Sequence, residues 1–164
     1  MTLGHDGESV ADRYRLDRLA GGTPDLELWE AYDTRLARSV SVRLERDPAD
    51  EDGDGEQGED PRSVLTRIAR LSHPNVAAVY DVGVADGDER MRYAVSEWSD
   101  GHTLGQLMQS GPMPWTRVAD WGRQTSAGLA ALHEIGIVHG ALDPDRVAVF
   151  DDRRVKIVDA GLEQ

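Results

Sequence analysis

The chain has no cysteine anywhere in its 164 residues, so neither a disulfide framework nor a thiolate metal site belongs to its architecture, and a reducing compartment suits it. It also lacks a long apolar run. The N-terminus, MTLGHDGESVADRYRL, contains no hydrophobic segment of the kind a secretory signal needs. The least polar stretch, around residues 127–132, falls far short of the roughly 20 apolar residues that cross a bilayer. The expectation is a cytoplasmic protein with no membrane segment in the chain. Basic charge is scarce as well: 18 Lys and Arg stand against 31 Asp and Glu, a net charge of −13. That balance argues against a nucleic-acid partner, because gripping phosphates requires a basic face that releases counterions.

What the chain does have is acid, and much of it is local. Residues 47–60 read DPADEDGDGEQGED, a run of Asp and Glu without one basic residue. Such a stretch repels itself and has no apolar group to bury, so it reads as a mobile, solvated surface loop. Asp50, Asp52, Asp54 and Gly55 imitate the opening of an EF-hand calcium loop. Pro61, however, stands at the twelfth position, where a bidentate Glu is required, and no amphipathic helix precedes the run. The histidines show no metal-ligand spacing.

Hydrophobic residues make up 39% of the chain, enough for a real core. Residues 13–20 and 26–32 read as strands on either side of Gly21-Gly22-Thr23-Pro24-Asp25, a segment of turn formers. Residues 39–44 alternate as a third strand, and 76–84 and 91–98 form two more with a polar hairpin between them. Between the third and fourth strands, Val64, Leu65, Ile68 and Leu71 recur at helical spacing until His73-Pro74-Asn75 ends the helix. The longest helix starts near Pro114, a residue suited to the first helical position, and runs through Trp115, Val118, Leu129 and Leu132 to Gly136. Trp115 and Trp121 on this helix are expected in the core. There is no internal repeat.

Residues 137–161, IVHGALDPDRVAVFDDRRVKIVDAG, hold a strand, a polar loop, a hairpin and an Asp-Ala-Gly triplet in that order. Further pieces are Ala31-Tyr32-Asp33-Thr34, Leu71-Ser72-His73-Pro74-Asn75-Val76, Val79-Tyr80-Asp81-Val82-Gly83 and Gly101-His102-Thr103-Leu104. Together they resemble a bacterial Ser/Thr protein kinase across residues 13–164. The kinase pattern reads H-R-D-L-K-P-x-N and later D-F-G, and His139, Leu142, Pro144, Asp159 and Gly161 match it. The resemblance implies an α+β fold. An N-terminal tail at 1–12 would precede an antiparallel five-stranded sheet with one helix at 13–97, carrying the acidic loop 47–60. A hinge near 97–101 would lead into the first half of a helical carboxy-terminal lobe at 98–164. In the family an activation segment and further helices follow the triplet, whereas this sequence stops at Gln164.

In that family the loop Asp takes the substrate hydroxyl proton, and the loop Asn and triplet Asp hold Mg²⁺. Here the base position is Ala141, the loop Lys position is Asp143 and the loop metal position is Arg146. Alanine cannot accept a proton, and a guanidinium repels a cation. Asp159 is the metal ligand that is left. The glycine-rich turn aligns on Gly21, Thr23 and Leu26, keeping only its first glycine, and the plainer alternative is that Gly21-Gly22 makes a hairpin turn. The V-A-I-K strand becomes Val40-Ser41-Val42-Arg43, and the helix Glu that would pair with its lysine falls on Val64.

The resemblance therefore assigns a nucleotide face to Gly21, Leu28, Ser41, Arg43, Glu97 and Trp98, for ATP without Mg²⁺, and no catalytic residue. It also suggests that Arg146 pairs with Asp159 in place of the metal. Arg43 is either a partly exposed strand residue or a cation with a new partner. The implied function is a pseudokinase-like binding or regulatory module with a protein partner. The alternatives are a weak Ser/Thr kinase using Asp143 or Asp145 as its base, and a kinase fragment without a function of its own. Self-association is expected as well, since part of the long helix's apolar stripe would lie uncovered.

Overall fold

A computed structural model describes residues 3–46, 61–85, 91–99, 101–150 and 153–160. The acidic run 47–60, its calcium-loop imitation, the hairpin tip 86–90 and Gly161 lie outside the described residues. Two compact units divide the chain: Met1–Gly58 with Val79–Trp98, and Glu59–Ala78 with Ser99–Gln164.

The first unit is one antiparallel sheet. Its strands are β1 (Ser9–Val10), β2 (Tyr14–Thr23), β3 (Leu26–Asp33), β4 (Arg38–Arg46), β5 (Val79–Ala85) and β6 (Met91–Glu97), in the order β1-β2-β3-β4-β6-β5. The alternation of β3 accounts for its role, because successive side chains of a strand point to opposite faces. Glu27, Trp29, Ala31 and Asp33 are buried, whereas Leu26, Leu28, Glu30 and Tyr32 are half-buried. Trp29 and Ala31 join Tyr14, Leu16, Val40, Val42, Leu44 and Val95 in a core on one side of the sheet. The sheet has a sixth strand that the sequence pattern does not reveal. Residues 3–12, expected as a tail, are folded onto this core, with Leu3 and Val10 buried and β1 paired to β2.

In the second unit α1 (Pro61–Ala69) precedes the His73-Pro74-Asn75 turn. The strand expected from residue 76 begins at Val79 instead. Val76 makes an isolated parallel bridge to Ile157, with Ala77 N donating to Ile157 O at 2.8 Å and Ile157 N to Asn75 O at 3.0 Å. A small sheet joins β7 (His102–Thr103), β8 (Val147–Val149) and β9 (Val155–Ile157). Helix α2 (Leu104–Gln109) starts with a capping box: Thr103 Oγ1 accepts from Gln106 N, and Gln106 Oε1 accepts from Thr103 N.

Helix α3 (Trp115–Glu134) buries Trp121, Gln124, Gly128, Ala131 and Leu132. Pro114 is its N-cap rather than its first turn. Trp115 departs from the core expectation, being 79% exposed, with Val118 exposed beside it on the helix. Nothing in a run of alternating polar and apolar residues distinguishes the inner from the outer tryptophan. Among the described residues no helix is long and apolar enough to cross a membrane.

Candidate functional site

The cross-strand register brings part of the expected nucleotide face together. Gly21 opposes Leu28, Leu28 opposes Arg43, and Arg43 opposes Ala94, so these residues form one row across four strands and share a face. Ser41, two residues from Arg43, lies on that face, opposite Glu30 and Ser96. Glu97 differs, because it opposes Val40, whose side chain enters the core on the other side. There the Glu97 charge and burial hold the Tyr80 phenol above its ordinary value, burial being the larger cause. Trp98 follows the end of β6 and is half-buried. Gly22 has φ +145°, and a Cβ there would sit 2.2 Å from Leu26 O, so this glycine is required by the β2–β3 hairpin itself.

Arg43 is not the partly exposed strand residue that was one of its expected readings. Its side chain is 7% exposed, and Nη2 lies 4.0 Å from Glu45 Oε2. Glu45 directly opposes Arg92 on β6 and also receives Arg92 Nη2 at 3.5 Å. Two arginines thus share one carboxylate on the strand face, and the cation that would address a phosphate has an acidic neighbour on its own strand. Val64, at the family's helix Glu position, is fully buried, in keeping with its lack of charge.

The loop after α3 is held by a set of hydrogen bonds. His139 is buried, and its Nε2 contacts Val158 O at 3.1 Å. Val158 N donates to Arg146 O at 3.0 Å, tying the two ends of the segment together. Asp143 Oδ1 accepts from Asp145 N at 2.9 Å and from Arg146 N at 3.0 Å, capping the 3₁₀ turn Pro144–Arg146. Asp143 Oδ2 takes the Arg146 guanidinium. Arg146 is thus received by the carboxylate of Asp143, three residues back.

Asp145 Oδ1 accepts the Thr103 hydroxyl at 2.9 Å. Gly105 makes room for it, since a Cβ there would lie 2.1 Å from that oxygen. Ala141 is half-buried. Asp159 is half-buried with φ +58°, a left-handed conformation that aspartate tolerates better than most residues.

The hairpin leading to Asp159 is fixed by a buried amide network. Gln124 Oε1 accepts from Val155 N at 2.9 Å and Asn75 Nδ2 at 3.1 Å, while its Nε2 donates to Asp120 Oδ2 at 2.9 Å and Arg153 O at 3.0 Å. Asn75 Nδ2 also reaches Val155 O at 2.8 Å. Sequence reasoning missed Glu45, Arg92, Thr103 and Gln124. For Thr103 a signal existed, because Thr-Leu-Gly-Gln is a capping-box pattern. For Gln124 none did, since a glutamine in a helix is usually at the surface.

Among the described residues no three His, Asp or Glu side chains converge into a set that could hold a metal ion. A cavity of about 350 Å³ is lined by Pro114, Thr116, Arg117, Asp120 and Arg153 at the start of α3. It contains none of the expected site residues.

Residues 39–164 match the family described as protein tyrosine and serine/threonine kinase. The serine/threonine-protein kinase PknA of Mycobacterium tuberculosis is 31% identical over 159 residues, covering 95% of this chain and 36% of that protein. PknL of Mycobacterium bovis is 37% identical over 144 residues, covering 87% of this chain and 34% of its own length. The chain thus spans about a quarter to a third of the length of the curated relatives it matches. The crystal structure of the Mycobacterium tuberculosis PknI kinase domain superposes on 99% of this chain and 64% of its own, with a TM-score of 0.78 at 22% identity. That likeness is one of fold, and the relatives named are bacterial Ser/Thr kinases; the family match carries the assignment, and the chain belongs to the protein tyrosine and serine/threonine kinase family.

Proposed function

We propose that this chain acts as a kinase-like binding and regulatory module without phosphoryl transfer. The observation that carries the reading is the use made of the loop's carboxylates. The base position is Ala141. The two neighbouring acids that could replace a base are engaged in structure: Asp143 caps the turn and holds Arg146, and Asp145 holds the Thr103 hydroxyl. A general base has to be within hydrogen-bond reach of the proton it takes and free to accept it. Asp143 accepts two backbone amides and the Arg146 guanidinium, and Asp145 accepts the Thr103 hydroxyl on Oδ1. At the loop metal position the Arg146 guanidinium is paired to Asp143, a donor set that does not suit Mg²⁺, so no step is routed through the ion.

The row Gly21, Leu28 and Arg43 supports binding of a nucleotide without Mg²⁺, with Arg43 exchanging Glu45 for a phosphate oxygen. The exposed apolar side chains of Trp115, Val118 and Val138 support a protein partner.

The test is transfer of labelled phosphate from ATP to the chain itself and to a basic acceptor protein, with and without Mg²⁺. No incorporation is expected. Incorporation that Asp159→Asn abolishes would establish the weak-kinase reading instead. Thermal shifts with ATP and EDTA complete the assay: stabilisation lost in Arg43→Ala is expected, and equal shifts in both proteins count against the nucleotide face.

A further inference from the structure

The N-terminal segment occupies a receptor of its own on the core side of the sheet. Leu3 N and Gly4 N donate to Glu27 Oε1 and Oε2 at 2.9 and 3.0 Å, and Trp29 Nε1 donates to Glu27 Oε2 at 2.9 Å. Glu27 is 4% exposed and Leu3 is buried with it. The fit at Gly4 is close, since a Cβ there would meet Leu16 Cδ1 at 2.6 Å and Leu44 Cδ1 at 3.0 Å. Further along, Gly7 N donates to Leu16 O and Leu16 N to Glu8 O, each at 2.8 Å, before Ser9 and Val10 pair with Arg15 and Tyr14. A buried carboxylate that receives two successive main-chain N–H groups, beside a glycine-sized niche, is a recognition site for an apolar-Gly segment.

The connection that lets the segment reach this site within one chain is strained. Ala11 has φ +52° and Asp12 has φ +51°, two consecutive left-handed residues without a glycine. The turn closes with Arg13 N donating to Val10 O at 3.2 Å. Hairpin turns of this hand ordinarily use Asn-Gly. Alanine has no side-chain hydrogen bond to ease the left-handed region. If residues 11 and 12 extend instead, the strain disappears and the segment leaves for a neighbouring molecule, where every contact to Glu27, Trp29 and Leu16 can be remade. Short strained hinges favour this exchange.

We propose that residues 3–10 exchange reciprocally between two copies of this chain, so that Glu27 of each copy receives the Leu3 and Gly4 amides of the other. The occupant is identical in the closed and exchanged forms. The balance between them is therefore set by the hinge and by concentration, not by affinity for the groove.

The experiment measures mass by light scattering and sedimentation over a concentration series, on full-length chains. Ala11→Pro fixes φ near −65° and forbids the closed turn, so it should be a dimer. Adding Gly4→Val to Ala11→Pro blocks seating of the segment and should return monomer. The double variant Ala11→Asn with Asp12→Gly suits the closed turn and should raise the dimer dissociation constant about a hundredfold over the unaltered chain, about tenfold for one left-handed residue relieved in each of the two chains that separate. A folded, monomeric Ala11→Pro chain overturns the proposal. So does an Ala11→Pro dimer that survives Gly4→Val. If Ala11→Pro does not fold, the Asn-Gly variant decides: a constant equal to that of the unaltered chain overturns the proposal and moves self-association to another surface, such as the Trp115 face of α3.

Discussion

Replacing Gln124 by methionine removes all four hydrogen bonds of its amide while keeping side-chain length and most of its volume. Two of the groups left behind are in the interior: Val155, whose N–H donates to Gln124 Oε1, is fully buried, and Asn75 is 9% exposed. Asn75 keeps its bond to Val155 O, and Arg153 O and Asp120 are near enough to water to be rehydrated. An orphaned buried donor costs about 1–3 kcal/mol. The variant should therefore lose about 2–5 kcal/mol, which for a chain of this size lowers the melting temperature by roughly 5–15 °C.

The loss should be local before it is global, because the orphaned amide lies on β9, the strand that leads to Asp159. Hydrogen exchange would show Val155 and Ile157 amides losing protection first. A melting temperature within about 2 °C of the unaltered chain, with Val155 still protected, would refute the argument. It would mean that the methionine side chain fills the site well enough to offset the lost network.

Acid should act on the first unit through Asp33. Its bidentate contact with Arg13 outweighs burial, and the Leu36 and Arg35 amides add to it, bringing the carboxyl down to about 2. Because that lies below the unfolded value of about 3.9, the contribution is full above pH 4 and is lost as the pH falls towards 2. The stability difference between the unaltered chain and Asp33→Asn, measured in denaturant across that window, should have lost most of its size at its acid end. A pair of glycine substitutions on α3 should give opposite signs in thermal melts. Gly122→Ala meets nothing within 4 Å and should stabilise by about 0.5–1 kcal/mol. Gly128→Ala places a Cβ 2.5 Å from Asn75 O and should destabilise despite the same helical gain.

The sheet was legible because its signal is local. β3 falls at Leu26–Asp33 against an expected 26–32, and the β2–β3 turn lies within the breaker segment, at Pro24 and Asp25, with Gly21, Gly22 and Thr23 paired in β2. The N-terminal strap was not legible, since a lone Leu3 in a polar stretch carries no periodicity. Its burial depends on a carboxylate that arrives 24 residues later. Trp115 and Gln124 fail for the same reason in opposite senses. Side-chain chemistry puts the tryptophan inside and the glutamine outside, and only the position of the neighbouring segments reverses both.

At the candidate site the difference between identity and availability decides what could be read. That Ala141 cannot take a proton follows from its name alone. That Asp143 and Asp145 are occupied does not, because the partner of Asp145 is a hydroxyl 42 residues away at the start of α2. The Arg43 partner was closer to hand: Glu45 lies two residues on, and the period of a strand places both side chains on one face. Reading the strand by its own period, rather than by the distant helix that pairs with this position in the family, points to the carboxylate that accompanies Arg43. A substitution that removes a long-range ion partner is followed through the residue left behind, and on a strand the nearest place to seek its replacement is two positions along.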